Sequence, residues 1–330
     1  MRIALIGAGR IGRLHGQVLS SLPGVDQVLV ADANAEAARS LAADIGGLAV
    51  DRDIDAIKGS DAVVIAATTN AHAELVRQSV GLDRPTFVEK PLALDLDESR
   101  QLVDFVHRSG VAVQVGFQRR FDTAFVEARR LVGSGDLGTL YAVRLIAHDA
   151  SPPPESYIST SGGIFRDSSI HDFDALRFVT GVEVDDVFAV GAVRGFPTFA
   201  EYGDVDTVAA ILRLADGTIA TLSQTRHNPR GYDVRMELVG SRDAVSIGLG
   251  PRTPTRSLQP DGPDFGAGWD SFLTRFESAY RAELAAFVRV ARGEAPSPCS
   301  ADDGYQAMRV AVAASRSLAT GQPVKVTDVV

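Results

Sequence analysis

The segment RIALIGAGRIG, residues 2–12, decides the fold predicted for this chain. A short aliphatic run, typical of a buried strand, leads directly into a glycine-rich turn and then into a helical stretch. The turn carries three glycines in the spacing G-x-G-x-x-G: Gly7, Gly9 and Gly12. The first permits a tight turn, the second lets a pyrophosphate approach the backbone, and the third lets the helix pack closely on the strand. The segment therefore predicts a dinucleotide-binding unit, and we expect Arg10 and Ile11 to contribute to cofactor binding.

A carboxylate twenty residues beyond Gly12 identifies the cofactor more closely. Asp32 ends the second predicted strand, QVLVAD. A carboxylate in this place can accept hydrogen bonds from the ribose hydroxyls of adenosine and would repel a 2′-phosphate. The next two residues, Ala33 and Asn34, offer no cation that could pair with such a phosphate. The sequence therefore predicts NAD rather than NADP, with a glycine turn beside a surface aspartate as the structural alternative.

The order of short strands and amphipathic helices extends this unit to a whole domain. Runs such as AVVIAA and TFVE are almost continuously apolar and alternate with helical stretches such as AHAELVRQSV. Such an alternation is typical of a parallel sheet that is covered by helices on both faces. It predicts an α/β fold with an N-terminal Rossmann domain, a doubly wound parallel sheet, over residues 1–118.

From residue 119 onward the pattern changes to long alternating segments. Stretches such as DTVAAILRL and YDVRMELVG are separated by turn sequences such as ADGT. Alternation of apolar and polar residues indicates strands with one buried face, and short turns indicate hairpins. We predict that residues 119–330 form a C-terminal α+β domain for substrate binding and oligomerisation, with a large, mostly antiparallel, open-faced sheet. The last helix of the chain is a candidate to pack back on the first domain.

The composition limits the classes of partner. The 330 residues carry a formal net charge of −9, which works against binding to nucleic acid or to an anionic membrane. No apolar stretch approaches the ~20 residues of a membrane-spanning helix. The first strand begins at residue 2, which leaves no room for a signal peptide. The only cysteine is Cys299, so we expect a cytoplasmic protein without disulfides or a thiolate metal site.

Polar residues follow two further predicted strands of the first domain. The stretch AATTNAHAE contains Thr68, Asn70 and His72, and TFVEKPLAL contains Glu89 and Lys90. Because the carboxyl ends of parallel strands line the ligand crevice of this fold, we count all five among the cofactor-binding residues. Asn70 or Thr69 is also a candidate helix cap, and packing or capping is the favoured alternative for His72. Lys90 would hold a substrate oxygen next to the nicotinamide, although a Glu-Lys-Pro sequence also forms ordinary turns.

Four motifs together resemble the glucose–fructose oxidoreductase / inositol dehydrogenase superfamily. They are the glycine motif at 7–12, EKP at 89–91, VGFQRRFD at 115–122 and DSSIHDFD at 167–174. The match runs over almost the whole chain and is most similar to the inositol 2-dehydrogenase branch in stretches such as GYDVRMELVG. The resemblance implies NAD as the cofactor, a cyclic polyol or sugar as the substrate, and a homotetramer formed through the C-terminal sheet.

The resemblance also implies the catalytic residues. Asp167 and His171 are four residues apart, so in a helix they lie on one face, where a carboxylate raises the basicity of an imidazole. Members of the superfamily use this histidine as the general base, and Lys90 would stabilise the developing alkoxide. All three would contact the substrate, and no metal ion is needed for these roles. Three further residues are expected to bind substrate hydroxyls, with a structural role as the alternative: Arg119, Asp149 and Tyr232.

The expected activity is the NAD-dependent oxidation of a cyclic polyol, with myo-inositol converted to 2-keto-myo-inositol. One alternative is a dehydrogenase of scyllo-inositol or of a pyranose sugar. Another is a glycoside hydrolase of the same superfamily, which oxidises and re-reduces its substrate on tightly held NAD. A nucleotide-sensing regulator without catalysis is a further alternative.

Overall fold

The computed structural model describes residues 1–263 and 265–329, and these residues form two compact units. The first unit consists of Met1–Phe121 and Ser278–Gln306. The second consists of Asp122–Glu277 and the end of the chain from Ala307. The first unit thus includes residues 278–306, which the sequence analysis assigned to the second domain.

The first unit is built on a sheet of six parallel strands in the order β3-β2-β1-β4-β5-β6. The strands are β1 (Arg2–Ile6), β2 (Gln27–Ala31), β3 (Leu48–Ala49), β4 (Ala62–Ile65), β5 (Thr86–Glu89) and β6 (Val113–Gly116). The predicted doubly wound parallel sheet is confirmed. The sequence analysis missed β3, because a strand of two exposed residues leaves no apolar run to detect. The strand order reverses between β1 and β4, which is where this class of fold binds its ligands.

Helices connect these strands, and side-chain caps mark where two of them begin. The helices are α1 (Arg10–Leu19), α2 (Ala35–Ile45), α3 (Asp53–Lys58), α4 (Thr69–Gly81) and α5 (Leu96–Ser109), followed by a 3₁₀ turn (Gln118–Phe121). The Asp95 carboxylate caps α5 by accepting the N–H of Glu98 at 2.8 Å, and Asn34 caps α2 in the same way. The cap of α4 is Thr68 rather than Asn70, so the capping role suggested for Asn70 is wrong.

A helix from late in the chain completes the core of the first unit. The buried residues of β1, β2, β4 and α2 pack together with Leu284, Phe287 and Val288 of α11 (Glu277–Ala291). The rings of Phe287 and Phe87 lie 5.8 Å apart, centroid to centroid. Burying three large apolar side chains contributes about 1.5–3 kcal/mol each to the stability of the unit.

The second unit is built on a seven-stranded sheet in the order β12-β11-β7-β10-β9-β8-β13. The strands are β7 (Leu140–His148), β8 (Val184–Ala192), β9 (Thr207–Leu214), β10 (Ile219–Thr225), β11 (Asp233–Gly240), β12 (Ala244–Ile247) and β13 (Val324–Lys325). Only β7 and β10 are parallel neighbours, and the other pairs are antiparallel. The prediction of a large, mostly antiparallel sheet is therefore confirmed. One residue in two along β9 and β10 is buried, which defines an inner and an outer face.

The remaining helices of the chain are mostly short. They are α6 (Thr123–Gly133), α7 (Glu155–Ile158), α8 (Ile170–Thr180), α9 (Thr198–Glu201), α10 (Phe272–Arg275) and α12 (Ala301–Thr320), with a 3₁₀ turn at Val326–Asp328. A π-helical turn, Phe165–Ser169, runs directly into α8. In the described part of the chain no helix is long and apolar enough to cross a membrane.

Candidate active site

The glycine turn after β1 has the geometry that its sequence predicts. Gly7 has φ +108°, and a Cβ there would lie 2.4 Å from the carbonyl oxygen of Ala66. A Cβ at Gly12 would lie 2.0 Å from the carbonyl oxygen of Gly7. A side chain at either position would therefore collide with the backbone. Gly9 differs, because no atom lies within 4 Å of the place where its Cβ would be. The turn is therefore tightly packed at Gly7 and Gly12 and has open space beside Gly9.

Asp32 joins the glycine turn to the end of β2. Its Oδ2 accepts the backbone N–H of Ala8 at 2.7 Å, and its Oδ1 accepts the N–H of Asn34 at 2.7 Å. The carboxylate is half-buried, and each oxygen keeps a lone pair for a further donor. Asp32 therefore lies where the prediction requires a ribose-binding group, next to the turn.

The N-terminus of α1 suits a pyrophosphate. Gly9 provides no side-chain cap for this helix and its first turn contains no acidic residue, so its positive dipole end favours an anion. Arg10, the first helical residue, is exposed, and Ile11 is half-buried. Together with the open space at Gly9 and the carboxylate of Asp32, these features fit an adenine dinucleotide.

The residues after β4 hold the sheet edge together. The Thr68 hydroxyl donates to Oδ1 of Asn70 at 2.6 Å, and both residues are exposed. His72 is 1% exposed, and its ring nitrogens lie 2.8 Å from the carbonyl oxygen of Pro91 and 3.1 Å from that of Ala67. Burial lowers the pKa of His72, although the two carbonyl oxygens favour the charged ring. These contacts are structural, and a role in cofactor binding stays a prediction for all three residues.

Lys90 follows β5 at the same edge of the sheet as the glycine turn. In-register pairing joins β1 to β4 and β4 to β5. Because neighbouring strands lie about 4.8 Å apart, Lys90 begins about 10 Å from the end of β1. The lysine is half-buried, and the preceding Glu89 forms a 2.6 Å hydrogen bond with His15 of α1. Lys90 therefore follows the strand end beside the predicted dinucleotide site.

Asp167 lies in the π-helical turn of the second unit, and His171 lies in the first turn of α8. The sequence analysis predicted an ordinary helix here, whereas the structure has the rarer π form, which is frequent at functional sites. The Asp167 Oδ1 accepts the hydroxyl hydrogen of Tyr157 at 2.8 Å, and Oδ2 lies 2.9 Å from Nη2 of Arg226. His171 is half-buried. The helical path between Asp167 and His171 is continuous, so they remain neighbours along it.

Arg226 is the main functional candidate that the sequence analysis missed. Its side chain is 4% exposed and also lies 3.4 Å from Asp149, which was predicted to bind substrate. Burial opposes the charged guanidinium, but Asp167 and Asp149 outweigh it and hold the pKa of Arg226 above its ordinary value. The sequence does contain a signal for this residue. Leu222 and Gln224 of β10 are buried, and Arg226 is the next residue of the same alternation. A cation on the buried side of a strand requires carboxylate partners.

Polar side chains on the inner face of β10 also hold the π-helical turn. The amide of Gln224, which is 1% exposed, makes short hydrogen bonds with the hydroxyls of Ser168 and Ser169. Of the other predicted substrate residues, Tyr232 is 8% exposed and its ring packs edge-on against Phe276. Arg119 is buried within the 3₁₀ turn of the first unit. Substrate binding by Asp149, Tyr232 and Arg119 stays a prediction.

Two protein-family models match the chain. The NAD-binding Rossmann fold of an oxidoreductase family matches residues 1–117. The GFO/IDH/MocA C-terminal domain matches residues 125–246. Within the described residues no group of three or more histidine, cysteine, aspartate or glutamate side chains could hold a metal ion.

Several relatives are similar to the chain along its whole length. Myo-inositol dehydrogenase Hyg17 of Streptomyces leeuwenhoekii is 39% identical over 97% of this chain and 98% of its own. A crystal structure of a myo-inositol dehydrogenase from Corynebacterium glutamicum is 34% identical, with a TM-score of 0.90 over 98% of both chains. That of scyllo-inositol dehydrogenase from Lactobacillus casei, with bound NAD(H) and scyllo-inositol, is 27% identical, with a TM-score of 0.90 over 99% of both chains.

Proposed function

Because the chain belongs to the GFO/IDH/MocA family of NAD-binding oxidoreductases, we propose that it oxidises one CH–OH group of a cyclic polyol, with myo-inositol as the substrate and 2-keto-myo-inositol as the product. The observation that carries the proposal is the position of Lys90. This cation leaves the edge of the sheet beside the glycine turn and Asp32, two strands from the end of β1. Relatives that act on myo-inositol support the choice of substrate.

In the proposed mechanism each residue has one task. Asp32 and the N-terminus of α1 hold the adenosine ribose and the pyrophosphate of NAD. NAD, when bound, supplies the acceptor for the hydrogen that leaves the ring carbon with its electron pair. Lys90 donates a hydrogen bond to the reacting oxygen and stabilises the negative charge that develops there. His171 removes the hydroxyl proton, and Asp167 favours the charged imidazole that results.

The sheet of the second unit supports a proposal about assembly. Three large apolar side chains on its outer face are about half exposed: Val190, Ile211 and Ile219. An apolar face of this kind is ordinarily covered by a partner, and we expect a second copy of the chain to cover it within a homotetramer. Sedimentation velocity of the wild type and of Ile211→Glu would test this. Tetramers that dissociate in the variant are expected, and a monomeric wild type would contradict the proposal. The cytoplasmic location stays a prediction.

A polyol panel tests the proposed activity. The purified protein is incubated with NAD and myo-inositol, scyllo-inositol or glucose, and NADH absorbance is followed. The strongest turnover is expected with myo-inositol. Turnover of scyllo-inositol alone would move the assignment to the other isomer, which the similarity to the scyllo-inositol enzyme also allows. Strong turnover of glucose without inositol would contradict the proposal, as would release of sugar from a glycoside without net NADH. Tight NADH binding without any turnover would indicate a regulator.

A further inference from the structure

His15 is a buried histidine for which the mechanism above has no use. It lies in α1, three residues beyond Gly12, and is 0% exposed. Its ring packs edge-on against Phe87 at 5.4 Å and against Tyr280 at 6.0 Å, centroid to centroid. Burying an imidazole among aromatic rings costs free energy unless a hydrogen bond compensates for it.

The compensating bond goes to the residue before Lys90. Nε2 of His15 lies 2.6 Å from Oε1 of Glu89, whose side chain is 13% exposed. Nδ1 of His15 is buried, and the described residues offer it no hydrogen-bond partner. Because only Nε2 faces a hydrogen-bond acceptor, we place a ring hydrogen on Nε2. His15 therefore donates to the Glu89 carboxylate in a short, charge-assisted hydrogen bond.

The rest of the surroundings fixes the Glu89 carboxylate in one place. Oε2 accepts the backbone N–H of Lys90 at 3.3 Å. On the neighbouring strand β6, Gly116 lies opposite Glu89 in the register. A Cβ at Gly116 would lie 3.1 Å from Oε2 of Glu89 and 2.9 Å from Cζ of Phe87. The missing side chain of Gly116 leaves the space that the carboxylate fills.

We infer that His15 is a positioning residue for Lys90 and that it acts through Glu89. This inference rests on the proposed function of Lys90. With His15 in place, one carboxylate oxygen is held by the imidazole and the other by the peptide N–H of Lys90, so the backbone from which the lysine side chain extends is fixed. Without the imidazole, nothing holds Oε1 in place, and we expect the carboxylate to turn towards the ammonium group of the next residue. That pairing would withdraw Lys90 from the substrate oxygen and stabilise its charged form.

Three variants separate positioning from mere packing. His15→Leu fills the space without a donor, whereas His15→Gln places an amide N–H where Nε2 was. His107→Leu is the matched control, because His107 also bonds a carboxylate, Asp302, at 2.7 Å, but on the exposed surface of the first unit. We expect His15→Leu to lower kcat about tenfold to a hundredfold while the Kd for NAD changes little. His15→Gln should recover most of kcat, and His107→Leu should leave it unchanged.

A second readout needs no turnover. The chain has only three lysines, Lys58, Lys90 and Lys325, so reductive methylation with ¹³C gives few lysine signals, and Lys90→Arg identifies one of them. In His15→Leu the titration of the Lys90 signal should move to higher pH by about one unit, because a freed carboxylate favours the ammonium. The Lys58 and Lys325 signals should not move.

The outcomes distinguish the inference from the proposed function. Normal kcat and an unmoved Lys90 signal in His15→Leu would overturn the inference. Equal losses in His15→Leu and His15→Gln that follow the loss of thermal stability, again with an unmoved signal, would reduce His15 to a packing residue. If the wild type oxidises no polyol, the proposed function fails, and the lysine titration still decides whether His15 controls Lys90.

Discussion

Nη2 of Arg226 lies 2.9 Å from Oδ2 of Asp167, and the two side chains are only 4% and 10% exposed. The guanidinium therefore neutralises a carboxylate that stands four residues before the proposed base. Replacing Arg226 by Met should destabilise the protein by about 3–5 kcal/mol, because a buried carboxylate then loses its partner. Urea unfolding measures this, and the double variant Arg226→Met/Asp167→Asn should recover part of the loss. A fully stable Arg226→Met variant would show that the pair is unimportant.

The same pair should set the pH dependence of catalysis. In the proposed mechanism Asp167 faces His171, so removal of the guanidinium leaves an uncompensated negative charge that favours the protonated imidazole. Since a base must be neutral to accept a proton, the acid limb of the kcat/KM profile should move to higher pH by about one unit in Arg226→Gln. An acid limb at the same or at a lower pH would contradict either the effect of the Arg226 charge on His171 or the assignment of His171 as the base.

Lys90→Ala and His171→Ala should each lower kcat by about 10²–10⁴, because they remove the electrostatic stabilisation and the proton acceptor, respectively. Fluorescence titration should find that NAD still binds to both. A variant with a near-normal rate would lose the role assigned to its residue. The exposed His107 provides the control, and His107→Ala should keep the wild-type rate.

Asp32→Ala should weaken the binding of NAD and relax the discrimination against NADP. The ratio of kcat/KM for NADP to that for NAD should rise about tenfold or more. Asp32 also accepts the N–H of Ala8, so a general weakening of the glycine turn is a competing explanation. The two effects separate cleanly, because a distorted turn weakens both cofactors alike. An unchanged ratio would refute the ribose contact.

Gly9→Ala and Gly12→Ala should fail in different ways. A Cβ at Gly12 would collide with the carbonyl oxygen of Gly7, so this variant should lose about 1–3 kcal/mol of stability. A Cβ at Gly9 meets no protein atom within 4 Å, so Gly9→Ala should fold like the wild type and bind NAD about tenfold more weakly. Thermal unfolding and NAD titration test both. Undiminished NAD affinity in Gly9→Ala would place the pyrophosphate elsewhere.

Asp206 should make the stability of the second unit depend on acid pH. Its carboxylate accepts the backbone N–H groups of Arg194, Gly195 and Phe196 at 2.7–2.8 Å. Burial opposes its charge, but these donors outweigh burial and hold the pKa of Asp206 below its ordinary value. The stabilisation is therefore complete above the unfolded pKa of about 3.9 and is lost as the pH falls through the folded value.

Asp206→Asn should accordingly cost about 1–3 kcal/mol at neutral pH, and the difference from the wild type should shrink at a pH of about 3. Urea unfolding at both pH values gives the comparison. Asp216→Asn serves as the control, since the exposed Asp216 carboxylate accepts only the nearby N–H of Thr218 among the bonds described for it. A difference that grows in acid would reverse the predicted sign.

Sequence patterns predicted the features of this protein that local chemistry determines. The glycine turn and Asp32 could be found because Gly7, Gly9, Gly12 and the carboxylate stand at a fixed spacing within one strand–turn–helix–strand unit. The second sheet could be predicted because apolar and polar residues alternate along β9 and β10, where one face of each strand is buried. Each of these features can be recognised from neighbouring residues, without knowledge of contacts between distant parts of the chain.

The features that were missed depend on such distant contacts. The cation paired with Asp167 is Arg226, which directly follows β10 and is 59 residues further along the chain, so no local rule links the two. The bond between His15 and Glu89 joins α1 to the end of β5, although each residue by itself belongs to an ordinary motif. The π-helical turn was not predicted because no residue type has a known preference for π-helix over α-helix. Gln224 of β10 stabilises the turn through hydrogen bonds to Ser168 and Ser169.

The place of α11 in the first core bears on how the protein is made. The N-terminal half leaves the ribosome first, but its hydrophobic core also contains Leu284, Phe287 and Val288, which are synthesised much later. The first unit therefore stays incomplete until most of the second unit has been synthesised.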